Sequence, residues 1–146
     1  MANRFTDPVI VKKIYNTCFW EVMAPFTFHL GSPDGVEFVT IPVGRITDFA
    51  SIPPPASWIW KSPGSNVDAP ALVHDGLYTT PRVQHVNGTW RFIERTEADA
   101  IFLEALSVPE LGISRASRRS LWLGVRVGGG RAWDKWRRLD DQSAHL

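Results

Sequence analysis

Three consecutive prolines, Pro53 to Pro55, set the strongest limit on what this chain can fold into. Proline lacks the backbone N–H and has a fixed φ, so neither regular helix nor a central strand passes through them. The prolines also mark a change of pattern. Before them the sequence alternates with a period of two; after Asp68 it repeats as helices do.

The first fifty residues read as strands. "VIVKKIYN" (9–16) is short and β-branched, "CFWEVM" (18–23) alternates around Trp20 and Val22, and "FTFHL" (26–30) alternates again. "GSPDG" (31–35) is a Pro/Gly turn before "VEFVTIPV" (36–43), which predicts a hairpin within an antiparallel sheet of three or four strands. Pro25 implies an edge strand or a break. The segment 51–67 is a Pro-rich connection in which Trp58, Ile59 and Trp60 suit a short helical turn.

About three packed helices are expected over 68–130. Asp68 is a plausible N-cap with Pro70 in the first turn. "PRVQHVNGTWRFIE" (81–94) carries an "NG" turn signal for a small hairpin. Thr96, with Asp99 three residues on, looks like a capping-box start, and Ser114 opens a helix that stops at Gly128–Gly130. Residues 131–146 read as a C-terminal tail. The fold class is therefore α+β: one domain of 146 residues, a sheet first and then helices.

Composition excludes several functions. The net charge of +1 provides no global field for nucleic acid. Charge is nevertheless uneven: residues 114–138 hold eight of the 16 Lys and Arg and one acid, Asp134. That stretch is either a solvated helix face with a tail, or a surface for phosphate, headgroups or an acidic partner. Trp122, Trp133 and Trp136, with Arg137 and Arg138, suit an anchor at an interface with other chains or other copies. No motif for sequence-specific nucleic-acid binding is present. Cys18 is the sole cysteine, which excludes an intrachain disulfide, and its apolar setting predicts a buried small hydrophobe. No apolar leader follows Met1, and no stretch reaches the roughly 18 apolar residues of a membrane span, so synthesis in the cytoplasm is expected.

The chemistry-bearing residues lie in "ALVHDGLY" (71–78). On a helix His74 and Tyr78 share one side, and Asp75 is turned about 100° away. Asp99 falls on the apolar stripe of the second helix with Phe102, Leu103 and Leu106. A buried carboxylate needs donors, and His74 and Tyr78 are available if the helices pack together. An Asp on the histidine Nδ1–H would leave Nε2 as a free base. The alternative is structural: Asp99 caps its own helix, and His74 is a core histidine bonded to backbone. Asp48 in "TDFAS" either caps the turn that follows or ligates a cation.

"VGRITDFASIP" (43–53), "ALVHDGLY" and "TEADAIFLEAL" (96–106), in that order, resemble the signature of a phage and prophage family, domain of unknown function 1353. The resemblance spans about Val39 to Trp136 and implies a phage context more than a reaction. The longer connection between Tyr78 and Thr96, with Trp90, departs from the usual pattern. So does the triple proline directly after "TDFASI". "HDGLY" with the later "ADAIF" also resembles the helix pair of phospholipase A2 enzymes. That resemblance implies His74 as the base, Asp99 and Tyr78 holding it, and Asp75 binding calcium. The Gly-rich calcium loop and the disulfides of the secreted enzymes are not recognisable.

Two functions from different classes follow. One is a virion component of a phage tail, neck or baseplate, bound to other phage structural proteins and to copies of itself, with no cofactor. The other is a phospholipase A2-like esterase with a His74–Asp99 dyad, used at cell entry or lysis. Calcium held by Asp75 and Asp48, and contact with membrane, belong to the second alone.

Overall fold

The computed structural model describes residues 4–47 and 66–145. Expectations for Asp48, the triple proline and the Trp58–Trp60 turn fall outside them. Two antiparallel sheets are formed. One has the strand order β1 (Val11–Lys13), β2 (Trp20–Val22), β5 (Ile46–Thr47); the other runs β3 (Phe26–His29), β4 (Glu37–Ile41), β6 (Arg82–His85), β7 (Trp90–Phe92). The described residues also form four α-helices, α1 (Asp68–Thr79), α2 (Arg95–Leu106), α3 (Arg115–Gly128) and α4 (Gly130–Ala144), and a 3-10 turn at Pro109–Leu111. The class is α+β, as expected. None of the described helices is long and apolar enough to cross a membrane.

The N-terminal strands divide between two sheets because Pro25 lies where the chain leaves β2 for β3; its missing N–H cannot join a continuous ladder. The predicted hairpin at 31–35 joins β3 to β4, with Phe26 opposite Ile41 and Phe28 opposite Val39. All four of these side chains are buried, so one face of the sheet is core. The "NG" segment also forms its hairpin. Gly88 adopts φ +89°, the left-handed conformation that a tight turn asks of glycine, and β6 then pairs with β4. Residues between two helices thereby extend the N-terminal sheet.

Helix α1 is buried along most of its length, through Leu72, Val73, His74, Leu77 and Tyr78. It packs between β4 and the other helices. Gly76 permits the close approach to β4, because a Cβ there would stand 2.6 Å from Ile41 Cδ1. Helix α2 buries Ala98, Asp99, Phe102, Ala105 and Leu106, and α3 inserts Leu121 and Val125.

Several expectations are corrected. Val67, not Asp68, occupies the N-cap of α1, and Asp68 sits in the first turn, where the helix dipole favours an acid. Helix α2 starts at Arg95 with Glu94 at its N-cap, so Thr96 caps nothing and Asp99 lies beyond the capping positions. Ser114 is the expected cap of α3 and accepts from Ser117 N–H at 3.1 Å. Cys18 is exposed, because the chain turns there before entering β2. The expected tail at 131–146 is helical from Gly130, and Trp133 is core, 9% exposed.

Candidate functional site

The core centres on Asp99, which is 0% exposed. Asp99 Oδ1 lies 2.7 Å from His74 Nε2 and accepts from Tyr78 Oη at 2.7 Å. Oδ2 accepts from Arg126 Nη1 at 2.6 Å, and Arg95 Nε stands 3.7 Å from the same oxygen. The carboxylate thus ties α1, α2 and α3 together. Burial pushes the Asp99 carboxyl up, but the hydrogen bonds from His74, Tyr78 and Arg126 outweigh it, and its pKa lies below the ordinary aspartate value. Burial and the bond to Asp99 raise the Tyr78 phenol well above its usual range, so it stays a donor.

His74 is also 0% exposed. Its ring lies between Tyr78 at 4.2 Å and Phe102 at 4.7 Å, centroid to centroid. A carboxylate only accepts, so Nε2 carries the hydrogen. Nδ1 is buried and has no hydrogen-bond partner among the described residues. This reverses the expected orientation, in which Asp99 held Nδ1. Nε2 is the outer nitrogen of the ring, and it is the one that crosses from α1 to reach α2. The free position, available as an acceptor in the neutral imidazole, is therefore Nδ1.

Asp75 points elsewhere. Its carboxylate lies 3.8 Å from Arg45 Nε, and Arg45 Nη2 donates to the Asp75 backbone carbonyl at 3.1 Å. Calcium requires several oxygen ligands. Both the carboxylate and the carbonyl of Asp75 face a guanidinium, and no group of three or more metal-ligating side chains occurs among the described residues. Asp48, the other expected calcium ligand, lies outside the described residues.

Of the residues expected at an interface, Trp133, Trp136 and Arg137 engage the chain's own core. Trp133 meets the Tyr78 ring edge-on at 5.2 Å, and Trp136 is half-buried against the core. Arg137 stacks over Trp133 and donates to the Tyr78 and Thr79 carbonyls at 2.8 and 3.0 Å. The last turn of a helix leaves carbonyls without donors, and Arg137 supplies them. Trp122 is half-buried and Arg138 is exposed.

Two residues of the centre were not singled out from sequence. Arg95 precedes Asp99 by four residues, a spacing that signals an ion pair on a helix. It also donates to the Val125 carbonyl at 3.2 Å and to that of Arg126. Arg126 comes from a third helix, and nothing in its local sequence separates it from the other arginines of α3.

A family model described as "Protein of unknown function (DUF1353)" matches residues 20–125, most of the chain. Neither the curated proteins nor the solved structures compared with it give a match.

Proposed function

The chain belongs to the DUF1353 family, and we propose that it is a hydrolase of carboxylic esters, phospholipids among them, with His74 Nδ1 as general base. The observation that supports this reading is the state of one imidazole: Nε2 is fixed on Asp99, while Nδ1 is buried and has no partner among the described residues. Buried polar atoms are nearly always bonded, and an exception calls for a role.

In this mechanism Nδ1 takes a proton from water as the oxygen attacks the ester carbonyl carbon. Asp99 stabilises the imidazolium that forms, and Tyr78, Arg126 and Arg95 keep the carboxylate in place. The imidazolium then returns the proton to the leaving alkoxide, giving a carboxylic acid and an alcohol. Tyr78 and the two arginines are positioning residues. Since His74 has no exposed surface, turnover requires the packing of Tyr78 and Phe102 around its ring to open.

A bacteriophage or prophage setting fits the motif order "TDFASIP", "HDGLY", "EADAIF". A virion-bound hydrolase acting at cell entry or lysis unites that setting with the site. A purely structural virion role is the second reading. It is favoured by the sealing of His74 and Asp99 together with the charge compensation of Asp99 by Arg126.

The test is hydrolysis of phospholipid vesicles and of a simple ester by purified chain, with calcium and with chelator. Turnover that disappears in His74→Gln at unchanged Tm supports the enzyme. No turnover in either medium, with His74→Ala lowering stability and incorporation into particles, replaces it with the structural reading.

A further inference from the structure

A second site lies on the opposite side of α1. A pocket of about 230 Å³ opens between α1 and the β4–β6–β7 face, with Ile41 and Gly76 among its walls. Arg45, Arg82 and Trp90 also line it, and no acidic side chain does among the described residues. We infer that this pocket binds a small organic monoanion, a short-chain carboxylate, independently of the chemistry at His74.

The charge balance selects one negative charge. Arg45, whose side chain is 14% exposed, shares its charge with Asp75 at 3.8 Å, while its buried Nε makes no hydrogen bond among the described residues. Arg82 has no acidic partner among the described residues and is held in place by stacking on the Trp90 ring, 4.8 Å to the centroid. One guanidinium is thus largely compensated and one is not. A planar fork of N–H donors matches a carboxylate in both shape and charge.

One wall accepts an apolar body, while Thr40, Thr80 and Gln84 add polar groups to the lining. Val39 and Ile41 are buried core side chains that reach the pocket, and Pro42 lies beside them. A volume of about 230 Å³ admits a small ligand with a carboxylate head and a short alkyl body. Hexanoate meets that description. The glycine of "HDGLY" belongs to this site as much as to the helix packing, because it brings α1 onto Ile41 and so sets the pocket depth.

The experiment is titration of the full chain with hexanoate, followed by the indole N–H resonance of Trp90, which is assigned with Trp90→Phe. A saturable shift is expected. 1-Hexanol should leave the resonance unmoved, and Arg82→Gln should weaken hexanoate binding by about ten-fold or more at unchanged Tm. Arg45→Gln serves as the second variant and should weaken binding at least as much. Four results would each overturn the assignment: no saturable shift, an equal response to hexanol, wild-type affinity in Arg82→Gln, or tighter binding of inorganic phosphate than of hexanoate. His74→Gln should bind hexanoate normally, which separates this site from the hydrolase reading.

Discussion

His74 Nε2 lies 2.7 Å from Asp99 Oδ1, with both side chains at 0% exposure. Burying such a pair costs desolvation, and pairing alone is weak grounds for stability. Here the carboxylate also accepts from Tyr78 and Arg126, on α1 and α3. The contact therefore fixes the packing of three helices and, through it, which imidazole nitrogen remains free.

The first prediction concerns acid. The folded pKa of Asp99 is lowered, so its contribution is present above the unfolded value and is lost as pH falls through the folded one. Asp99→Asn should lower unfolding free energy at neutral pH by about 1–3 kcal/mol. Urea titrations should show the gap between wild type and variant closing as pH drops from about 5 toward 2. Glu37 shares the direction through its bond to Arg91 but stands near solvent and is common to both proteins, so it cancels. A gap that stays constant across this range would rule out Asp99 as the source.

Gly129 and Gly130 should respond oppositely to alanine. A Cβ on Gly129 would stand 2.5 Å from both Tyr78 Oη and the Val125 carbonyl, whereas one on Gly130 meets nothing nearer than Arg95 Nη1 at 3.4 Å. Gly129→Ala should therefore push on the Asp99 centre and cost about 1–3 kcal/mol. Gly130→Ala, within α4, should be neutral or stabilise by up to about 1 kcal/mol. Thermal melts of the two variants decide this, and equal Tm values would contradict it.

The periodicities that reveal the fold are local, and they were readable in the residues. Alternation in "FTFHL" and "VEFVTIPV" gave the β3–β4 pair, and Asn87–Gly88 gave the β6–β7 turn. Asp99 announced its partners by lying on an apolar stripe. What stayed hidden depends on distant surfaces. That Arg126 rather than another arginine meets Asp99 follows from how α3 seats Leu121 and Val125, which no short window encodes. The imidazole orientation depends on the spacing between α1 and α2. Residues 131–146 read as a tail because Gly128–Gly130 stop the helix before them; Trp133 on Tyr78, Arg137 on the end of α1, and Ala132 and Trp136 against the core make the segment part of the fold.

The cap of α3 offers a smaller, cleaner test. Ser114 Oγ accepts the Ser117 N–H, one of the donors that a helix start leaves without a partner. Ser114→Ala should cost about 1 kcal/mol, and Ser114→Asp should restore most of it. Amide exchange at Ser117 should rise in the alanine variant; unchanged protection there would mean that the hydroxyl contributes nothing.

Helix α4 should be held by Trp133 more than by its charges. Trp133 is 9% exposed, packs its ring against Tyr78 and carries the Arg137 guanidinium on its face at 4.5 Å. Trp133→Ala should remove about 3–5 kcal/mol, a large-to-small loss in the core. It should also release Arg137 from the Tyr78 and Thr79 carbonyls. The helix would then detach before the rest unfolds, since terminal elements open most easily once their packing is gone. Limited proteolysis of the variant should cut within 130–145 first, while Arg138→Ala, on the exposed side, should leave both Tm and digestion unchanged. Wild-type protease resistance of the C-terminal helix in Trp133→Ala would show that α4 is anchored by something other than this ring.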